Sequence, residues 1–261
     1  MTISPRTAVF GACIFSLSLS SALQASVCDV YAGAGDTALE GNTVCFVYNP
    51  ADIDPIFGTL QASPSSDNIF VVPTNFRAES TDGTNLSNND GDGPEIGQTD
   101  NVSGTGTIQV IAKPGYVLDA IDVGEVGDYR MTAGGTSVDI DGWLRVFDWF
   151  DPVPVFGTEE SANLLVSGVL NIQDGALHNW SASAGFDLTT ATWDGLDHVG
   201  LTLQNNLSAV SMASGESAWI QKKAVGVEVS ISTSVIPVPG AVWLFGSGLL
   251  GLAGVARKRK S

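Results

Sequence analysis

Histidine is scarce in this chain. His178 and His198 are the only two among 261 residues, which removes the His-rich clusters on which most catalytic zinc and copper sites depend. The body also lacks a G-x-S-x-G elbow, an H-E-x-x-H pair and a Gly-rich phosphate loop, the signatures of serine hydrolases, metalloproteases and nucleotide-binding enzymes. Cations are scarce as well, with 11 Lys and Arg against 28 Asp and Glu and a formal charge of −17. Arg6 and the run Arg257, Lys258, Arg259 and Lys260 hold the two ends, while every acid lies between Asp29 and Glu228. Six cations (Arg77, Lys113, Arg130, Arg145, Lys222, Lys223) thus face 28 acids, and the body carries −22. Such a body repels a phosphate backbone, so nucleic acid is excluded as a partner.

A 3.6-residue apolar period is missing outside the two terminal segments. What is abundant instead is Gly (30), together with Ser, Thr, Asn and Asp, the composition of a turn-rich β protein.

The N-terminus reads MTISPRTAVFGACIFSLSLSSALQAS. One cation precedes an apolar run from Ala8 to Leu19, and small residues follow to Ala25. This is the layout of a secretory signal peptide over residues 1–25, too short an apolar run for a comfortable span. At the other end, Val238 to Ala256 is 19 residues without a charge, about 28 Å as a helix and enough for a bilayer core of about 30 Å. The cations Arg257, Lys258, Arg259 and Lys260 follow at once, which orients the body outward. Five glycines weaken this span, and Pro237 and Pro239 hold the chain extended just before it, as a protease recognition strip requires.

The segment Pro237-Val238-Pro239-Gly-Ala-Val-Trp-Leu-Phe-Gly-Ser-Gly-Leu-Leu-Gly-Leu-Ala-Gly-Val-Ala-Arg-Lys-Arg-Lys260 resembles the PEP-CTERM sorting signal, in its VPLPA-type variant. It differs by Val238, where many relatives carry Glu, and by Gly240 after the second Pro. The resemblance implies a Gram-negative exporter, an inner-membrane exosortase that removes residues 237–261, and association with exopolysaccharide or biofilm. "AKPGYVLDAIDVGEVGDY" and "SAWIQKKAVGVEVS" resemble, more loosely, the sandwich of many PEP-CTERM proteins.

Export also fits the cysteines. Cys13 leaves with the signal peptide, and Cys28 and Cys45 remain as an even pair in an oxidising compartment, so a disulfide is expected. Closing that loop would contribute about 3 kcal/mol by the chain-entropy model.

Between the ends, period-two alternation predicts strands. Val138, Ile140, Leu144 and Val146 share one face, with Asp139, Asp141, Trp143 and Arg145 on the other. Leu164 to Ile172, Val199 to Leu203 and Val225 to Ile231 alternate in the same way, and Thr43 to Tyr48, Phe70 to Val72, Thr107 to Ala112 and Val117 to Val123 add further strands. Pro114-Gly115 and Gly134-Gly135 mark turns. We expect an all-β, antiparallel β-sandwich, jelly-roll or Ig-like, over residues 26–236, flanked by the signal peptide and a single C-terminal transmembrane helix. The Asp-, Asn- and Gly-rich stretch 81–103 reads as a surface loop.

Candidate chemistry is thin. Asn88, Asp90 and Asp92 have the 1, 3, 5 spacing of a Ca²⁺ loop with Gly93 at position six, but Thr99 stands where a bidentate Glu belongs. A solvated turn or a weak Ca²⁺ site both fit, and no other cofactor is expected. Trp143 and Trp149 stand near acids on the polar side of a strand, where indoles stack on sugar rings, or else pack under loops. His198 near Asp194 and Asp197 is the nearest approach to an acid–base pair. Glu159 and Glu160 are adjacent and would face opposite sides of a strand. The reading is a non-enzymatic exported protein, with a carbohydrate-binding module or a secreted hydrolase as alternatives.

Overall fold

Alternating sequence becomes strand almost throughout the computed structural model, which describes residues 26–73, 75–85, 99–132, 134–151 and 158–236. The signal peptide (1–25), the candidate ligands Asn88, Asp90 and Asp92, and the tail from Pro237, Val238 and Pro239 to the basic cluster lie outside these residues. No helix among the described residues is long and apolar enough to cross a membrane.

Strands are numbered in chain order. One sheet has six, in the order β1 (Thr37–Glu40), β2 (Val44–Tyr48), β7 (Thr99–Ala112), β13 (His198–Val210), β9 (Ser137–Asp148) and β10 (Glu159–Asn163). The other has eight. Its path runs β11 (Leu165–Ser167), β12 (His178–Asp187), β8 (Tyr116–Met131), β14 (Ser217–Val235), β4 (Asn68–Val72) and β3 (Thr59–Ala62). Off this path, β5 (Arg77–Thr81) pairs with β14 and with β6 (Thr84–Asn85). Every pairing is antiparallel.

The two sheets share one core. Phe46, Val110, Leu144, Val146, Val199 and Leu201 from the first meet Ile69, Ile121, Val123, Ile220, Val227 and Val229 from the second. Each such side chain contributes roughly 1.5–3 kcal/mol by leaving water. This is the layout of a β-sandwich.

Two stretches differ from the sequence expectation. Leu164 to Ile172 forms only the three-residue β11, because the chain changes sheets at Leu164. Leu164 is buried and its N–H donates to Gly142 O at 2.9 Å, whereas Leu165 is 72% exposed. Gly168, at φ 87°, then ends the strand. The stretch 81–103 is strand at both ends: Thr81 closes β5, Thr84–Asn85 form β6, and residues 99–103 begin β7 with Val102 buried.

The expected disulfide is present. Cys28 and Cys45 are joined, with Cα atoms 5.4 Å apart. It pins a 3-10 helix (Val27–Tyr31) over β2, where Cys28, Cys45, Val47 and Ile111 form a small second core. That helix covers one end of the six-stranded sheet's outer face and leaves the remainder open.

Candidate functional site

The open part of that face is built by β9 and its neighbours. Because β9 alternates, burying Val138, Ile140, Leu144 and Val146 inward sets Trp143, Arg145 and Phe147 on the outer side, Trp143 and Arg145 half-buried and Phe147 covered at 7% exposure. Trp149 continues the same parity just past the strand end. The antiparallel register sets Gln204, Thr202 and Gly200 of β13 beside Trp143, Arg145 and Phe147 on one flank. Asn163, Ser161 and Glu159 of β10 lie beside them on the other.

These side chains form a continuous strip. The Arg145 guanidinium lies over Trp143 at 5.9 Å and over Phe147 at 5.1 Å, and Glu159 steadies it at 3.6 Å. Phe147 stacks on Trp149 at 6.0 Å, and Trp149 stacks on His198 at 5.7 Å with only 10° between ring planes. Phe150, 78% exposed, closes the strip edge-on to His198 at 4.8 Å. Gly200 makes the middle of the strip feasible, since a Cβ there would come within 2.1 Å of the Phe147 ring.

His198 is packed by rings on two sides. Its Nε2–H donates to Gln109 Oε1 at 2.9 Å, and burial depresses its pKa, only partly countered by Asp197 and Asp148. Of the two acids that flank it in sequence, Asp197 acts on the ring electrostatically, and Asp194 is exposed with its backbone N–H closing a turn on Thr190 O. The other histidine, His178, bonds Asp174 at 2.9 Å and lies tilted against Tyr129, with ring centres 5.5 Å apart. Glu159 and Glu160 diverge as a strand requires: Glu159 faces Arg145, while Glu160 accepts from Trp193 Nε1 at 3.0 Å.

Hollows flank the Trp149–His198 stack. One of about 440 Å³ is walled by Tyr31, Tyr116, Phe150, Asp197 and His198. A second, about 150 Å³, lies beside Asp36, Tyr48, Asp52, Gln109 and Trp149. Flat rings bordered by carboxylates and amides suit a polar ligand with apolar faces. Among the described residues no group of His, Cys, Asp and Glu is arranged to hold a metal ion.

A different feature escaped the sequence reading. Glu125 of β8 and Lys222 of β14 point into the core, each side chain fully buried, and their charged ends touch. Glu125 shares parity with Ile121, Val123, Tyr129 and Met131, and Lys222 with Ala218 and Ile220. An ionisable residue on an apolar face was the available signal. Pairing the two required the register across a β-bulge between Lys222 and Val227.

No family model matches the chain, and no curated protein matches it either.

Proposed function

We propose that this chain is a non-enzymatic protein of the cell envelope or extracellular matrix, and that it holds exopolysaccharide along the strip from Trp143 to Phe150. The observation that carries this reading is the run of rings and guanidinium on one sheet face, in which Trp143, Arg145, Trp149 and Phe150 are at least partly exposed over a covered Phe147. Sugar rings present C–H faces to indoles and hydroxyls to amides and carboxylates, and this face offers both. A body of −22 repels polyanions, so neutral or amino-sugar polymers fit best.

Export is supported by the Cys28–Cys45 disulfide and by the signal-peptide layout. On this reading the resemblance to the PEP-CTERM signal makes Pro237, Val238 and Pro239 the processing motif for an exosortase, with Arg257 to Lys260 as the cytoplasmic stop. The strand order favours the jelly-roll over the Ig-like form. The last two strands each insert between earlier ones, β13 between β7 and β9, and β14 between β4 and β8. A hydrolase centred on His198 is the weaker reading, because its Nε2 bonds the amide of Gln109 and not a carboxylate, and Trp149 and Phe150 pack against its ring.

Protein recovered from the surface or medium of its host should begin near Ser26, end near Pro237 and co-sediment with the secreted polysaccharide. A species that keeps Lys260 and remains in the supernatant would refute both halves.

A further inference from the structure

We propose that Lys222 and Glu125 are joined by an intramolecular isopeptide bond, an amide between Lys222 Nζ and Glu125 Cδ that ties β14 to β8. As an ion pair the site is poorly completed. An ammonium has three N–H donors, yet among the described residues Nζ has one hydrogen-bond partner, the Glu125 carboxylate. Glu125 Oε1 is buried with no partner. Two aromatic rings stand beside the ammonium: Nζ lies 5.1 Å from the Phe76 ring centre and 5.3 Å from that of Trp180, both rings buried. Trp180 is fixed there by Nε1–H donation to Gln221 O at 3.1 Å. Gly127, opposite Lys222 in the ladder, leaves the room, since a Cβ would meet the indole at 2.2 Å. Two full charges in such a place keep unmet hydrogen-bonding capacity. An amide presents one N–H and one C=O and carries no charge.

The same enclosure favours the chemistry. Burial depresses the Lys222 pKa, which Glu125 only partly restores, and this favours the neutral amine that must attack; the reaction begins with an ammonium proton passing to the touching carboxylate oxygen. The Nζ lone pair then attacks Cδ and the C–N bond forms. Nitrogen gives up a proton to the departing hydroxyl, the C–O bond breaks, and water leaves. Ammonium plus carboxylate becomes amide plus water, with no oxidant or co-reactant. Two groups held in contact react as if at an effective concentration on the order of 10⁵ M or more.

Placement gives the bond a use. β8 and β14 are central in the eight-stranded sheet, and β14 is the last strand before residue 236. While the unprocessed chain is still anchored by its C-terminal segment, a point that rests on the proposed function, tension on β14 passes covalently into β8. The bond itself does not depend on that reading, because mass detects it whether or not any polysaccharide binds.

The test is the mass of the full chain purified from its host, reduced, with both mature ends sequenced. The wild type is expected about 18 Da, one water, below the mass of its sequence. Trypsin should fail to cut after Lys222 and should release Ala78–Arg130 linked to Val146–Lys223. The double variant Lys222→Met with Glu125→Leu, which fills the same volume without charge, should show its full sequence mass and no linked peptide. Wild-type protein at full sequence mass, with free peptides and cleavage after Lys222, would overturn the proposal even if the variant did not fold.

Discussion

The two sheets turn very different faces to water. On the six-stranded sheet, Trp143, Arg145, Phe147 and Trp149 follow one another along β9. On the eight-stranded sheet the outward positions around the middle of β8 are Asp122 and Gly124, with Ser181 and Ser183 of β12 and Glu228 and Ser230 of β14 beside them. Gly124, Ser167, Ser181, Ser183 and Glu228 border a hollow of about 280 Å³ that has no aromatic wall. Both faces obey the same alternation, so strand formation alone does not call for exposed rings. The Ser- and Gly-rich part of that face shows that this protein can satisfy a solvated sheet cheaply; the eight-stranded sheet carries an outward ring too, Trp219 of β14 with Arg77 at 5.2 Å, but there the ring is paired with one cation and not drawn out along a strand.

Substitutions along β9 separate the two sides of the same strand. Leu144, fully buried, should cost about 2–5 kcal/mol on replacement by Ala, read from urea unfolding. Its neighbour Trp143, turned outward, should cost less than about 1 kcal/mol in the same assay; equal losses would mean that the outer face is structural. The disulfide holding the cover at one end of that face comes next. Cys28→Ser with Cys45→Ser should lower stability by about 3 kcal/mol, and no change would remove its structural role.

Binding effects are smaller in energy but more specific. Trp149→Ala should weaken retention on polysaccharide roughly 2- to 10-fold, the worth of one aromatic contact, with the unfolding midpoint little changed. Ser181→Ala with Ser183→Ala, on the opposite face, should leave retention unaltered. The smallest effect is one of pH. Burial holds the folded His198 pKa below its ordinary value, so the unfolded chain takes up its proton first as pH falls. That contribution is therefore complete above about pH 6.5 and declines as pH drops toward the lower folded value. Urea midpoints measured between about pH 7.5 and pH 5 should fall less steeply for His198→Gln than for the wild type. Parallel slopes would show that His198 contributes nothing to the acid side.

Much of this architecture was legible because alternation survives in single strands. Val138 to Val146 and Val199 to Leu203 bury the residues their parity predicts. Parity does not say which sheet a strand joins, so the crossing at Leu164 was hidden inside an apparently continuous run. Trp143 and Trp149 could be nominated from their surroundings in the chain. The rings that join them into a strip could not. Phe147 lies across Gly200, and Trp149 stacks on His198, contacts created by the register between β9 and β13. Lys222 and Glu125 are 97 residues apart, and only the paired strands bring them together.

Tryptophan fluorescence during titration with the host's secreted polysaccharide tests the strip most directly. The wild type should bind saturably, Trp143→Ala with Trp149→Ala should lose that binding while unfolding cooperatively, and the Ser181→Ala, Ser183→Ala control should match the wild type. Undiminished affinity in the double tryptophan variant, or no saturable binding by the wild type, would contradict a glycan-holding role for this face.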